Sequence, residues 1–152
     1  MTPLYFGSPQ RRLFGVYSPA SVSARRPRAM LLCPPWGQEY LRSHRSMHQL
    51  ALRLNAAGFH VLRFDYHGTG DSAGDMEDAE LPGWQSDIDA AIDELIDMTG
   101  AQRIGIAGLR LGATLAAGAA ARRRRQVDTA VLWDPVVSGA RFVDELIALD
   151  AA

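Results

Sequence analysis

Ile104-Gly105-Ile106-Ala107-Gly108-Leu109-Arg110-Leu111-Gly112 is the stretch whose reading decides the fold. An apolar run meets two glycines four apart, Gly108 and Gly112, and Ala113 to Ala121 then supply small, helix-favouring residues. That order predicts strand, sharp turn, helix. Glycine at both positions removes the side chains that would collide where a helix folds back beside its strand. The residue between them, Arg110, is lifted above the sheet in a strained backbone conformation.

The segments on either side repeat this alternation. Leu4 to Phe6 and Leu13 to Tyr17, separated by Gly7-Ser8-Pro9, predict an antiparallel hairpin that opens the domain. Ser21 to Arg28 reads as a polar surface connection, and Ala29 to Cys33 as a strand buried on both faces and stopped at Pro34-Pro35-Trp36-Gly37. Met47, Leu50, Ala51 and Leu54 share one helical face over about Ser43 to Ala57, with Gly58 at the helix end. Phe59 to Phe64 is a strand, followed by the loop Asp65-Tyr66-His67-Gly68-Thr69-Gly70-Asp71-Ser72-Ala73-Gly74. Trp84, Ile88, Ala91, Ile92 and Leu95 mark a helix after Pro82-Gly83 that Gly100 closes. Beyond the Ala-rich helix, Val127 to Trp133 predicts another buried strand ending at Asp134-Pro135, and Phe142 to Leu149 a further amphipathic helix.

Strands alternating with helices of this length require crossover connections. The fold class expected is therefore α/β, a three-layer α/β/α sandwich with a mainly parallel sheet and an antiparallel hairpin at its start. The 152 residues suit a single domain, 1–152, and 47% apolar content can fill a core. Sixteen basic and 17 acidic side chains give a formal net charge of -1, so no overall field recruits nucleic acid or an anionic membrane. The single cysteine, Cys33, excludes an internal disulfide. No run approaches the roughly 18 apolar residues of a membrane span, and the first twelve residues lack a signal-like apolar core, so a cytoplasmic protein is expected.

With Cys33-Pro34-Pro35-Trp36-Gly37, Asp65 to Ser72 and the Gly108 to Gly112 turn in this order, the sequence resembles the α/β-hydrolase superfamily over essentially its whole length. Its style is most similar to the serine aminopeptidase and monoacylglycerol-lipase branch. Gly-Leu-Arg-Leu-Gly followed by Trp-Asp-Pro-Val resembles hydrolases accompanying exosortase systems. The resemblance implies hydrolysis of an ester, thioester or amide through an acyl-enzyme, with no cofactor. A serine at the nucleophile elbow attacks, a histidine takes its proton, an acid orients the histidine, and two backbone N–H groups hold the oxyanion. Carried onto this chain, the Leu111 N–H and the backbone near Trp36 and Gly37 match the oxyanion hole, and Asp134 the acid of the strand beside the elbow strand.

The remaining machinery is missing. Arg110 occupies the serine position and cannot attack, because a guanidinium stays protonated. The family's chain order places histidine last, yet His44, His48, His60 and His67 all precede the elbow. The expected protein is thus a hydrolase-like chain, weak or inactive as it stands, on a C-terminally short version of the fold. The alternative is a non-catalytic module binding an anionic or acyl molecule in a crevice of Arg110, Trp36, Gly37 and Asp65. A cation at a helix N-terminus is disfavoured, so either Asp134 or Asp65 pairs with Arg110 or an external anion does.

Other candidates carry blander readings beside the functional ones. Gly70-Asp71-Ser72-Ala73-Gly74 also spells Gly-x-Ser-x-Gly, but an acidic loop follows it, so Ser72 reads as a turn former. Cys33 reads as a small core residue before a nucleophile. His44 and His48 share a helix face without an acidic partner of metal-site form, so no metal is expected. Arg122 to Arg125 suit a solvated helix end. The Val127 to Trp133 strand would expose an edge, which a second copy or a partner would cover.

Overall fold

The computed structural model describes residues 1–152. The chain runs β1 (Thr2–Ser8), β2 (Arg11–Ser18), β3 (Arg28–Cys33), α1 (Gln38–Ala56), β4 (Phe59–Phe64), a 3₁₀ turn at Met76–Asp78, α2 (Leu81–Thr99), β5 (Ile104–Leu109), α3 (Leu111–Arg122), β6 (Val127–Trp133) and α4 (Gly139–Asp150). The six strands form one sheet in the order β1-β2-β4-β3-β5-β6. The hairpin β1-β2 joins β4 antiparallel, and β4, β3, β5 and β6 are mutually parallel. The architecture is the expected α/β sandwich with an antiparallel start.

Alternation of side chains along each strand divides the core into two layers. On one face, Leu31, Cys33, Leu62, Phe64, Ile104 and Ile106 meet the apolar sides of α2 and α3, Ile88, Ile92 and Leu95 among them. On the other, Met30, Leu32 and Val61 pack on Met47 and Ala51 of α1. The parallel strands thus deliver their C-terminal ends to one edge of the sheet, where open α/β folds collect functional groups.

Three local features differ from the sequence expectation. Helix α1 begins at Gln38, about a turn before Ser43, because Gly37 takes φ 65 and redirects the chain before any apolar periodicity starts. Strand β6 lies where expected but is not a buried strand: Asp128 to Trp133 are all exposed, with Trp133 at 62%. It terminates the sheet, with a neighbour on one side alone. The run Arg122 to Arg125 is only partly solvated, since Arg122 binds Asp89 at 3.3 Å and Arg123 bonds Asp93, stapling the end of α3 to α2.

Candidate active site

The joint between β5 and α3 is built by close approach. A Cβ on Gly112 would lie 2.3 Å from the Pro34 carbonyl oxygen and 2.4 Å from that of Cys33. One on Gly108 would lie 2.4 Å from the Gly112 oxygen. With those side chains deleted, α3 starts directly over the end of β3. The Pro34–Gly37 loop and the Leu111 amide thereby share one edge of the sheet. Arg110 at the apex has φ 54 and ψ -120, a region that costs a non-glycine residue about 1–3 kcal/mol. Its N–H donates to the Trp133 carbonyl at 3.0 Å, and its carbonyl accepts from Ala113 at 3.0 Å. The next strand ends in a second left-handed residue, Asp134, at φ 47.

The guanidinium of Arg110 is engaged through all three of its nitrogens by the chain's own carboxylates. Nε donates to Glu39 at 2.9 Å, Nη1 to Asp134 at 3.2 Å and Nη2 to Glu145 at 3.1 Å. Its Cζ also stands 5.6 Å from the centre of the Phe142 ring. One cation therefore joins α1, the elbow, the end of β6 and α4. The hydrogen bond to Glu39, opposed by some desolvation and helped by the charges of Glu39 and Asp134, holds its proton more firmly than in a free arginine. Arg42 and Arg141 line the adjoining pockets, so the three carboxylates are matched by three guanidinium groups in all.

Asp65 does not join this cluster. Its Oδ1 accepts from the Tyr40 hydroxyl at 2.7 Å and its Oδ2 from the Asp71 N–H at 3.0 Å, so it fastens the turn that follows β4. The crevice of Arg110, Trp36, Gly37 and Asp65 thus divides into two regions. Trp36 sets its ring at 54° to that of Trp84, with centroids 6.0 Å apart, and donates Nε1–H to Met76 Sδ at 3.3 Å. Leu111 and Gly112, the first residues of α3, turn their N–H groups toward no acceptor in the chain, as expected of a helix start.

The other candidates resolve structurally. Ser72 accepts from the Phe14 N–H at 2.8 Å and donates to the Asp65 carbonyl at 2.6 Å, tying its loop to β2 and β4. Cys33 is fully buried, and burial pushes its thiol pKa far up, against a smaller opposing effect of the Tyr66 hydroxyl. His48 contacts Arg63 at 3.3 Å and His60 bonds the Tyr17 hydroxyl at 2.6 Å. No group of His, Cys, Asp and Glu could hold a metal ion. No helix is long and apolar enough to cross a membrane.

Two partners in the site escaped sequence reasoning. Glu39 and Glu145 reach Arg110 across 71 and 35 positions, and neither sits in a motif. Asp87, outside this site, escaped as well: 1% exposed, it accepts from Arg11 Nε at 2.5 Å and from the His67 N–H at 2.9 Å. Its signal was legible, a carboxylate among Trp84, Ile88 and Ala91 on the apolar face of α2.

Comparison with known structures places this geometry. Est1E from Butyrivibrio proteoclasticus, solved with ferulic acid bound, superposes with a TM-score of 0.77 at 23% identity, covering 94% of this chain and 55% of Est1E. XC6422 from Xanthomonas campestris, a serine hydrolase without a lid, gives 0.68 at 25% identity, covering 84% and 59%. Proline iminopeptidase from Mycobacterium smegmatis gives 0.74 at 15% identity, covering 99% and 49%. The chain spans about half the length of the structures it matches. No curated protein matches the sequence. The family model of the serine aminopeptidases, S33, matches residues 40–149, most of the chain and all of the elbow, and the protein therefore belongs to that family of α/β hydrolases.

Proposed function

We propose that this chain is a hydrolase-type domain of the esterase and thioesterase kind in which the elbow has become a structural joint, without acyl-transfer chemistry at its apex. The observation that carries this reading is the engagement of Arg110 by Glu39, Asp134 and Glu145 at the position of the nucleophile. A guanidinium offers no lone pair with which to attack a carbonyl. A fluorophosphonate probe should leave the protein unlabelled, and p-nitrophenyl butyrate should hydrolyse at the buffer rate. Arg110→Ser should stay within about tenfold of background, since a lone serine without its base recovers almost none of a triad's effect. Labelling of the wild-type chain in the crevice would overturn the proposal.

A second reading, a binding role for the same crevice, is supported by its lining. Met47, Leu50, Leu109 and Trp133 border a cavity of about 300 Å³ with Glu39 and Arg110 at its rim. Glu39, Arg42 and Arg110 share that rim, and Arg110 is already engaged by carboxylates of the chain, so the apolar wall is what is left to recognise an acyl group. Octanamide should therefore raise the melting temperature where acetamide does not, and equal effects of both would count against the reading.

For partners, we propose that the free side of β6 pairs with a second copy of this chain. The strand presents unpaired backbone groups together with the exposed side chains of Val131, Leu132 and Trp133, a surface that invites strand addition. Light scattering behind a sizing column should give twice the 16.6 kDa chain mass. A monomer at tens of micromolar would refute it.

A further inference from the structure

A second cavity lies away from the elbow, between the first turns of α1 and the sheet, with a volume of about 180 Å³. Phe14 and Val16 of β2 and Met47 of α1 give it an apolar wall, with the Tyr40 ring at the start of α1. Its charged groups are two carboxylates, Asp65 and Asp71, and one guanidinium, Arg63; His44 on the same lining adds no charge while its imidazole is neutral.

These charges stand at opposite ends. Asp65 and Asp71 follow β4 and lie beside Tyr40, whose hydroxyl donates to Asp65 Oδ1 at 2.7 Å. Asp71 is fixed there by its own N–H, which donates to Asp65 Oδ2 at 3.0 Å, and the next residue, Ser72, accepts from the Phe14 N–H at 2.8 Å. Arg63 is drawn the other way. Its Nη2 touches His48 Nδ1 at 3.3 Å, and His48 lies two turns beyond Tyr40, roughly 12 Å along the helix.

The Tyr40 hydroxyl reports the resulting balance. Burial is the main reason that it holds its proton more firmly than a free tyrosine, followed by the hydrogen bond to Asp65 and then by the charges of Asp65 and Asp71, each of which outweighs the opposing charge of Arg63. The end of the cavity at Tyr40 is thus negative. Asp71 is exposed there, and its carboxylate has no cation of the chain beside it. An ammonium on a short hydrocarbon matches this lining: its charge is attracted by the carboxylates and by aromatic faces, and its tail leaves water for the apolar wall. Cavities of about 150 Å³ admit a benzene-sized molecule, which sets the scale of the guest.

We propose that this cavity binds a small alkylammonium, its charge beside Asp71 and the rings of Phe14 and Tyr40 and its tail against Val16 and Met47. The site is separate from the elbow crevice and stands whatever the fate of the Arg110 reading.

The test follows the methyl resonances of Val16 and Met47 and the ring resonances of Phe14 during titration with 3-methylbutylammonium, 3-methylbutan-1-ol and 3-methylbutanoate. A pH of about 8 keeps the amine charged and imidazole neutral. The ammonium should give saturable shifts in the millimolar range, with the alcohol about fivefold weaker and the carboxylate weaker still. Asp71→Asn keeps the backbone N–H that bonds Asp65 and should leave the fold intact, while bringing ammonium and alcohol to within about twofold of each other. Should that variant not fold, the comparison of ammonium with alcohol on the wild-type chain decides alone. Equal affinities for those two on the wild-type chain, or an ammonium preference that survives Asp71→Asn undiminished, would overturn the proposal.

Discussion

Gly112→Ala is expected to lower the unfolding midpoint by roughly 5–10 °C, although alanine is the better helix former. The new Cβ would fall 2.3 Å from the Pro34 oxygen and 2.4 Å from the Cys33 oxygen. Both are backbone atoms, so no side chain can swing aside. Either the β3–α1 loop or the start of α3 must move, an overpacking cost of about 1–3 kcal/mol or more. Gly118→Ala on the same helix supplies the control. There the nearest atom is Arg122 Nη1 at 3.4 Å, and the exchange should stabilise by up to about 1 kcal/mol. Two identical substitutions six residues apart should thus shift thermal melts in opposite directions. Equal shifts would mean that the joint is not held by the close approach.

Arg11→Ala should cost about 3–5 kcal/mol, because it strands the Asp87 carboxylate in the core. Asp87 is 1% exposed, while Arg11 reaches it from β2 with Nε at 2.5 Å and Nη2 at 3.2 Å. The guanidinium passes over Gly83, where a Cβ would lie 2.6 Å from Nη2, so that glycine clears its path. Asp87 also anchors the loop after β4 through the His67 N–H. Adding Asp87→Asn to Arg11→Ala should restore much of the loss, since the amide oxygen still accepts from His67 and no charge remains buried. Urea titrations of the two variants measure this directly. A single variant within about 1 kcal/mol of the parent would show that the pair contributes little.

The fold was legible wherever punctuation and periodicity agreed. Phe59–Phe64 lies between Gly58 and Asp65 and kept its predicted bounds, as did Val127–Trp133 before Asp134-Pro135. Gly100 closes α2 in a left-handed turn, as a glycine after an apolar face suggests. What escaped was the start of α1, where Leu41 faces solvent and so gives no apolar rhythm, and no side chain caps the helix. The Met76–Asp78 turn escaped for the same reason. At the site, Arg110 and Asp134 could be found because one tops a motif and the other ends the adjoining strand. Glu39 and Glu145 could not, because the length and rotation of two helices decide which of their acids face the elbow.

The elbow has a left-handed apex with an arginine at its centre. Its shape rests on two absent side chains, on the Arg110 N–H held by Trp133, and on α3 seated over β3. Those backbone contacts do not use the side chain at the tip. Conformation and chemistry are thus separable inheritances in this fold: the backbone forms a socket, and the occupant can be exchanged without rebuilding it. In this chain the occupant is a tie bar that fastens two distant helices to the sheet.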